Sequence, residues 1–84
     1  MFYVYVLKSD VDGSLYIGYS ADLKRRLVEH NEKKNISTRL KAPYRLVYYE
    51  SYMSQSDAKY REQQLKRHGG ALTHLKKRIF NSLR

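Results

Sequence analysis

The spacing of apolar and polar residues along this chain changes several times, and each change marks an element. Phe2 to Leu7 is an unbroken aromatic and aliphatic run, which predicts a strand buried on both faces. Ser9-Asp10-Val11-Asp12-Gly13 follows; this is turn chemistry, with Asp-Gly the dipeptide best suited to a tight hairpin. Leu15 to Tyr19 is the returning strand. Side chains alternate along a strand, so Leu15, Ile17 and Tyr19 face one way, and Tyr16 and Gly18 the other. A helical spacing comes next: Ser20 is placed as a cap, Asp22 suits the first turn, and Leu23 and Leu27 form an apolar stripe that ends near Asn31. Lys33 to Ala42 is polar and basic, a loop closed by Pro43, and Tyr44 to Tyr49 predicts a third strand. Ser54 and Asp57 resemble a capping box that opens a second helix through Arg67, which Gly69-Gly70 ends. Leu72, Leu75, Ile79 and Leu83 place a third helix on one stripe.

The order is therefore β-β-α-β-α-α. The expected fold class is α+β: a small three-stranded antiparallel sheet, its first two strands joined as a hairpin, flanked by helices that bury its faces. A chain of 84 residues has room for one domain, read as spanning residues 1–84.

Composition first removes possibilities. With no cysteine, disulfides, zinc fingers, iron–sulfur clusters and thiol nucleophiles are excluded. That usage suits a reducing compartment, so a cytoplasmic location is expected. No apolar run approaches the ~20 residues of a membrane span. The apolar start lacks the basic lead and small-residue cleavage site of a secretory signal.

Charge then points to a partner. The chain carries 17 Lys and Arg against 8 Asp and Glu, a net charge of +9. A domain this basic suits a polyanion. A merely solubilising surface is the plainer alternative. An anionic membrane fits less well, because no long helix pairs a basic face with bulky apolar anchors. Nucleic acid is thus the expected partner, and membrane is not. The cations fall into two blocks, Lys24 to Arg45 and Lys59 to Arg84, and in the second block Glu62 is the only acid.

Four kinds of residue could carry chemistry. Most of the nine tyrosines need only a packing role. Tyr5 and Tyr16 differ, because they lie in two strands joined by a short turn. If both face one side, their hydroxyls form a pair able to orient or activate a water, the more so if nearby cations lower a phenol pKa from ~10. Arg26 and His30 stack one helical turn apart and flank the Leu23/Leu27 stripe. For Lys24 and Arg25 a solvated basic face is sufficient explanation. His30 stands in no metal-ligand spacing. Glu62 shares a helical stripe with Ala58 and Leu65, and an inward carboxylate needs either a cationic partner such as Arg or a metal ion; Lys66, one turn on, could neutralise it or touch phosphate. Together these groups suggest phosphoryl transfer. An isolated carboxylate suits a single hard cation as Lewis acid, and Arg supplies a two-pronged clamp on phosphate.

These residues also resemble a known signature. Tyr3-Val4-Tyr5 followed after ten residues by Tyr16-Ile17-Gly18, then Arg26, His30 and the pattern Ala58-x-x-x-Glu62-x-x-x-Lys66, resemble the GIY-YIG nuclease superfamily. The similarity runs from Phe2 to about Lys66 and is greatest to short stand-alone bacterial members; the family includes homing endonucleases and the N-terminal catalytic domain of a bacterial excision-repair nuclease. The resemblance implies a metal-dependent endonuclease that hydrolyses phosphodiester bonds, in DNA more than RNA, with one Mg²⁺ or Mn²⁺ ion. It implies catalytic roles for Tyr5, Tyr16, Arg26, His30 and Glu62, with Glu62 holding the metal. Gly18, which would let backbone or substrate approach, and Arg25, Lys33, Lys34, Arg39 and Lys66 would contact nucleic acid. Tyr3 replaces the first glycine of the signature. Many family nucleases also carry a late active-site asparagine, and Asn81 in the third helix does not align with it by spacing. Two other readings share the fold: a binding module with little catalysis, and a component that works only within a repair or processing complex. Tyr5, Tyr16, Arg26 and Glu62 are expected to converge on one face.

Overall fold

A computed structural model describes residues 1–67 and 69–84. Its elements are β1 (Phe2–Ser9), β2 (Leu15–Ser20), α1 (Leu23–Asn31), a short 3₁₀ turn (Arg39–Lys41), β3 (Tyr44–Tyr52), α2 (Gln55–Lys66) and α3 (Gly70–Arg78). The fold is α+β with the order β-β-α-β-α-α, as the sequence pattern predicts. The sheet is three-stranded with the order β2-β1-β3, and both pairings are antiparallel. β1 is therefore central. That explains its unbroken apolar run: Val4, Tyr5, Val6 and Leu7 are all buried, since layers cover both faces.

The two faces carry two cores. Val4, Val6 and Ile17 pack against Ala58 and Leu65 of α2 and Leu75 of α3, with Leu15 and Tyr19 beside them. On the other face Tyr5 and Leu7 pack with Ala42 and Tyr44, joined by Tyr16, Leu23, Leu27 and Leu46. The alternation read along β2 thus holds residue by residue. The hairpin turn forms where Asp-Gly predicts it. Gly13 sits at φ 75°, a left-handed conformation that glycine adopts without steric cost. Ser9 Oγ accepts from the amides of Val11 and Asp12 and donates to the Lys41 carbonyl at 2.6 Å, so the hairpin is tied to the basic loop.

Several boundaries differ from expectation. α1 is capped by Asp22, whose side chain accepts from the Arg25 amide, and its first turn holds no acid; Ser20 Oγ instead accepts from the Asp22 amide. β3 runs to Tyr52 rather than Tyr49, because its last residues pair with Phe2 and Tyr3 and continue the central ladder. Gly70 opens α3, with Gly69 as its cap, and does not terminate α2. α3 stops at Arg78, so Leu83 and Asn81 lie beyond it. Leu83 is still tied to the sheet by another route, its carbonyl accepting from the Lys8 ammonium.

One polar cluster joins β3 to α2. Arg61 donates to both Glu50 oxygens at 2.9 to 3.1 Å. Tyr48 donates to the same carboxylate at 2.6 Å, and so does Tyr52. Burial alone would raise the Glu50 pKa; these donors more than offset it and hold the carboxyl below its ordinary value. A charged group with this many partners can sit half-buried without the penalty of an isolated ion.

Candidate active site

Tyr5 lies on the central strand opposite Gly18 in the β1–β2 register, and Tyr16 is opposite Leu7. Tyr5 and Tyr16 therefore sit diagonally on one face, with ring centroids 6.4 Å apart. α1 lies over that face and supplies His30, whose ring meets Tyr16 at 5.0 Å and Tyr5 at 5.9 Å between centroids. Tyr44 closes the aromatic group, 6.5 Å from Tyr16 and 6.3 Å from His30.

The polar atoms form a short chain. The Tyr5 hydroxyl is 3.0 Å from His30 Nε2, and His30 Nδ1 is 2.7 Å from Thr38 Oγ. His30 and Thr38 are both 0% exposed. A buried ring bonded at both nitrogens is locked in orientation. Burial lowers the His30 pKa and the Arg26 charge lowers it further, against a smaller opposing effect of Glu29; the ring is held neutral. For Tyr5, burial pushes the hydroxyl up to about 12, Tyr16 adds to this, Arg26 pulls it down, and the Glu62 charge raises it again. Tyr5 is thus the point at which the influences of Tyr16, Arg26, His30 and Glu62 meet.

Gly18 makes room for the ring of Tyr5. A Cβ there would stand 2.3 Å from the Tyr5 hydroxyl oxygen and 2.4 Å from Cζ. Gly18 is buried, and its missing side chain admits the Tyr5 ring.

Arg26 is partly open, 39% exposed, and its guanidinium is 3.5 Å from Glu29 Oε1. Glu62 is 21% exposed, and Lys66 Nζ lies 3.1 Å from its Oε2. The arginine beside it in sequence, Arg61, is taken by Glu50, so Glu62 has no arginine partner among the described residues. Tyr5, Tyr16, Arg26 and His30 share one face; Glu62 comes from α2, the helix packed on the opposite layer, and its charge still reaches Tyr5. Arg25, Lys33, Lys34 and Arg39 are all exposed. Arg25 lies 3.8 Å from Asp22 and Lys34 3.1 Å from Glu32. The Asn81 amide oxygen accepts from Arg84 at 3.3 Å and makes no hydrogen bond to the tyrosine pair. A cleft of about 430 Å³ lies on the other flank of α1, lined by Tyr3, Leu27, Leu46 and Tyr49 among others, and includes none of the five candidate catalytic residues.

Sequence reasoning did not find Thr38, Tyr44 or Asn31. The Asn31 side chain accepts from the Tyr44 amide at 2.6 Å and donates to its carbonyl at 2.9 Å, pinning the end of α1 to the start of β3. Its position in the last turn of a helix was the one available signal. Thr38 gave none, because it sits in an aperiodic polar stretch.

A family model of the GIY-YIG catalytic domain matches residues 1–79. The chain belongs to the GIY-YIG family. It is 42% identical over 65 residues to a UPF0213 protein of Staphylococcus epidermidis, covering 76% of this chain and 78% of that protein. It is 44% identical over 66 residues to a UPF0213 protein of Streptococcus pneumoniae, covering 77% of this chain and 66% of that protein. The solution NMR structure of a UPF0213 protein from Bacillus halodurans matches with 35% identity and a TM-score of 0.53, over 100% of this chain and 86% of that one. GIY-YIG membership places the chain among nucleases, a family that acts on nucleic acid and generally uses divalent metals.

Proposed function

We propose that this protein is an endonuclease that hydrolyses DNA phosphodiester bonds with one Mg²⁺ or Mn²⁺ ion. The observation that carries the reading is the meeting of four influences on the Tyr5 hydroxyl: Tyr16, His30, Arg26 and the charge of Glu62. A mere binder of nucleic acid has no use for a partly buried carboxylate such as Glu62 in a strongly basic protein.

The donor set suits a single hard cation. Among the described residues no three His, Cys, Asp or Glu side chains cluster, so a cage made wholly of protein ligands does not fit. Glu62 presents one carboxylate whose only ion-pair partner among the described residues is a half-exposed lysine ammonium. Mg²⁺ keeps most of its waters and binds through one or two carboxylates plus substrate phosphate, which Glu62 can satisfy. When bound there, the ion would supply Lewis-acid stabilisation of charge on the phosphate oxygens.

The chain's own residues do the rest. The exposed part of Arg26 clamps the non-bridging oxygens of the scissile phosphate. Tyr5 first loses its own proton to solvent and, as the phenolate, takes a proton from the attacking water. Its hydroxyl is costly to ionise mainly because it is buried, with Tyr16 and then the Glu62 carboxylate adding to the cost and Arg26 opposing it; a cation held by Glu62 would offset the Glu62 contribution. Tyr16 packs on His30 and lines the face where the phosphate sits. Arg25, Lys33, Lys34 and Arg39 hold the flanking backbone, and Lys66, half-exposed beside Glu62, would be available to phosphate if a cation took its place on that carboxylate.

The test is plasmid nicking with and without Mg²⁺, on the wild type and on Glu62→Gln. Glu62→Gln should abolish nicking, leave DNA affinity unchanged or slightly higher, and melt within a few degrees of wild type. Metal-independent nicking, or residual Mg²⁺-dependent nicking by a destabilised Glu62→Gln, would refute the metal-ligand role.

A further inference from the structure

We propose that the cleft between α1 and β3 takes one unpaired nucleobase of the substrate strand, stacked on Tyr49, so that the substrate is nucleic acid that is single-stranded or locally unpaired. Tyr3 and Tyr49 form the aromatic wall of this cleft, edge to face with ring centroids 6.0 Å apart. Leu23, Leu27 and Leu46 add aliphatic surface. The volume of about 430 Å³ falls in the ~300–1,000 Å³ range of small-molecule sites. Tyr49 is 52% exposed, although it lies on the face where Tyr5, Leu7 and Tyr44 are buried. It pairs with Tyr5 in the β1–β3 register, and directly opposed residues share a face. The cover that α1 gives this face thus leaves one large ring open at the β3 edge.

The lining decides what kind of group fits. The protein carries a net charge of +9, yet the two charged side chains on the cleft, Lys24 and Asp22, are one of each sign. The Asp22 carboxylate accepts from the Arg25 amide at 3.1 Å and lies 3.8 Å from the Arg25 guanidinium. A phosphate gains little in a near-neutral cleft with aromatic and aliphatic walls. An uncharged planar ring gains stacking and dispersion there, whatever the base, because every base has a π-face. The phosphates of the same strand belong outside, on cations. Lys24, Arg25 and Arg26 follow one another in the first turn of α1, with Lys24 on the cleft and Arg26 on the side of the tyrosine pair. Tyr3 stands two residues before Tyr5, on the same side of β1. A strand laid across that first turn therefore leads from the cleft to the candidate active site, its base in one and its phosphate at the other. A base inside a duplex is paired and stacked, and must be turned out before it can enter.

This inference rests on the nucleic-acid reading but not on cutting, so binding is measured in EDTA. Two fluorescently labelled strands of equal length are compared: an oligothymidylate, and a strand of stable abasic sites with the same phosphates and no bases. The wild type should bind the thymidylate strand roughly fivefold or more tightly than the abasic one. Tyr49→Ala should remove that preference and leave abasic affinity unchanged. Tyr49→Phe keeps the ring face and should restore it. Tyr60→Ala, which removes an exposed tyrosine of α2 that lines no part of the cleft, should keep the preference. In methyl NMR of the wild type, the thymidylate strand should shift the signals of Leu23, Leu27 and Leu46, and the abasic strand should not. Equal binding of the two strands by the wild type would overturn the proposal, as would an equal loss on both in Tyr49→Ala. Equal methyl shifts with both strands would overturn it too, and that measurement needs no variant to fold. Binding to neither strand would instead refute the nucleic-acid reading on which the cleft's role rests. A base preference in a protein that cuts nothing would support the cleft and refute the nuclease alone.

Discussion

Gly18→Ala is the sharpest single perturbation of the site, because its added carbon meets one side chain. The new Cβ would lie 2.3 Å from the Tyr5 hydroxyl oxygen, 2.4 Å from Cζ and 2.9 Å from Cε2, whereas ordinary contact starts near 3.4 Å. The ring must withdraw by about 1 Å, and it has little room: Tyr5 is 1% exposed and bonded to His30 at 3.0 Å. Overpacking of this kind costs roughly 1–3 kcal/mol, and a weakened buried hydrogen bond adds about 1 kcal/mol or more. For a domain this size, 1 kcal/mol moves the melting temperature by about 4–8 °C, so a fall of roughly 10–25 °C is expected. Gly18 has ordinary strand geometry, its φ lying outside the positive range, so backbone strain does not contribute; alanine should otherwise be neutral or better in a strand. Calorimetry on a double-mutant cycle isolates the contact. In a Tyr5→Leu background, which lacks the ring atoms concerned, Gly18→Ala should cost almost nothing. Nicking by the single variant should drop by about 100-fold, the usual consequence of an ångström's misplacement. A Gly18→Ala protein that melts within a few degrees of wild type, or that loses the same stability with and without the Tyr5 ring, would rule this contact out as the reason for glycine.

The other expectations are simpler to state. Glu50→Gln should destabilise by about 2–3 kcal/mol in urea unfolding at neutral pH, since Arg61 loses its counter-charge. The Glu50 pKa is depressed in the folded protein, so its contribution is full above the unfolded carboxyl value of ~4.3 and fades as pH falls through the folded one; the gap between wild type and variant should close in acid. His30 also has a depressed folded pKa, so wild-type stability should decline as pH falls below ~6.5 until the folded value is passed, and His30→Gln should remove that slope. Lys33 holds a left-handed φ of 63° just past α1, so Lys33→Gly should raise stability by up to about 1 kcal/mol, read by thermal melting. DNA affinity should fall steeply with salt, with a log–log slope of roughly −0.9 per phosphate contacted on duplex; a flat titration would contradict an electrostatic grip.

What could be read from the sequence was what repeats locally. The Ala58/Leu65 stripe, the split of Leu15, Ile17 and Tyr19 from Tyr16 and Gly18, and the Asp-Gly hairpin follow from period and turn chemistry. The matched spacing of Tyr5, Tyr16, Arg26, His30 and Glu62 points to the family without any knowledge of the fold. What could not be read depends on distant partners. Thr38 and Ser9 are buried polar residues whose roles emerge only when α1 and the basic loop close on each other. Glu50 and Arg61 are eleven residues apart on different elements, so no periodic pattern ties them. The need for glycine at position 18 comes from the Tyr5 ring across the ladder, a contact that register alone reveals. The cap moved from Ser20 to Asp22 because both are good caps, and the turn after β2 chooses between them.

The central place of β1 also sets an order of assembly. Its ladder with β2 closes over a short hairpin, but its ladder with β3 joins Phe2 to Tyr52. β1, synthesised before β2 and β3, thus has both edges satisfied only once β3 has been made. Until β3 docks, the apolar run from Val4 to Leu7 has one open edge in the nascent chain, a template for pairing with a neighbouring polypeptide. Closing a loop of that length must precede the reward of the contacts it brings, which slows folding relative to a local hairpin. Tyr44, Ala42 and Thr38 arrive with that same late closure, so the tyrosine face stays incomplete until the sheet's final pairing. A half-folded chain therefore carries its full basic charge before the tyrosine pair is complete.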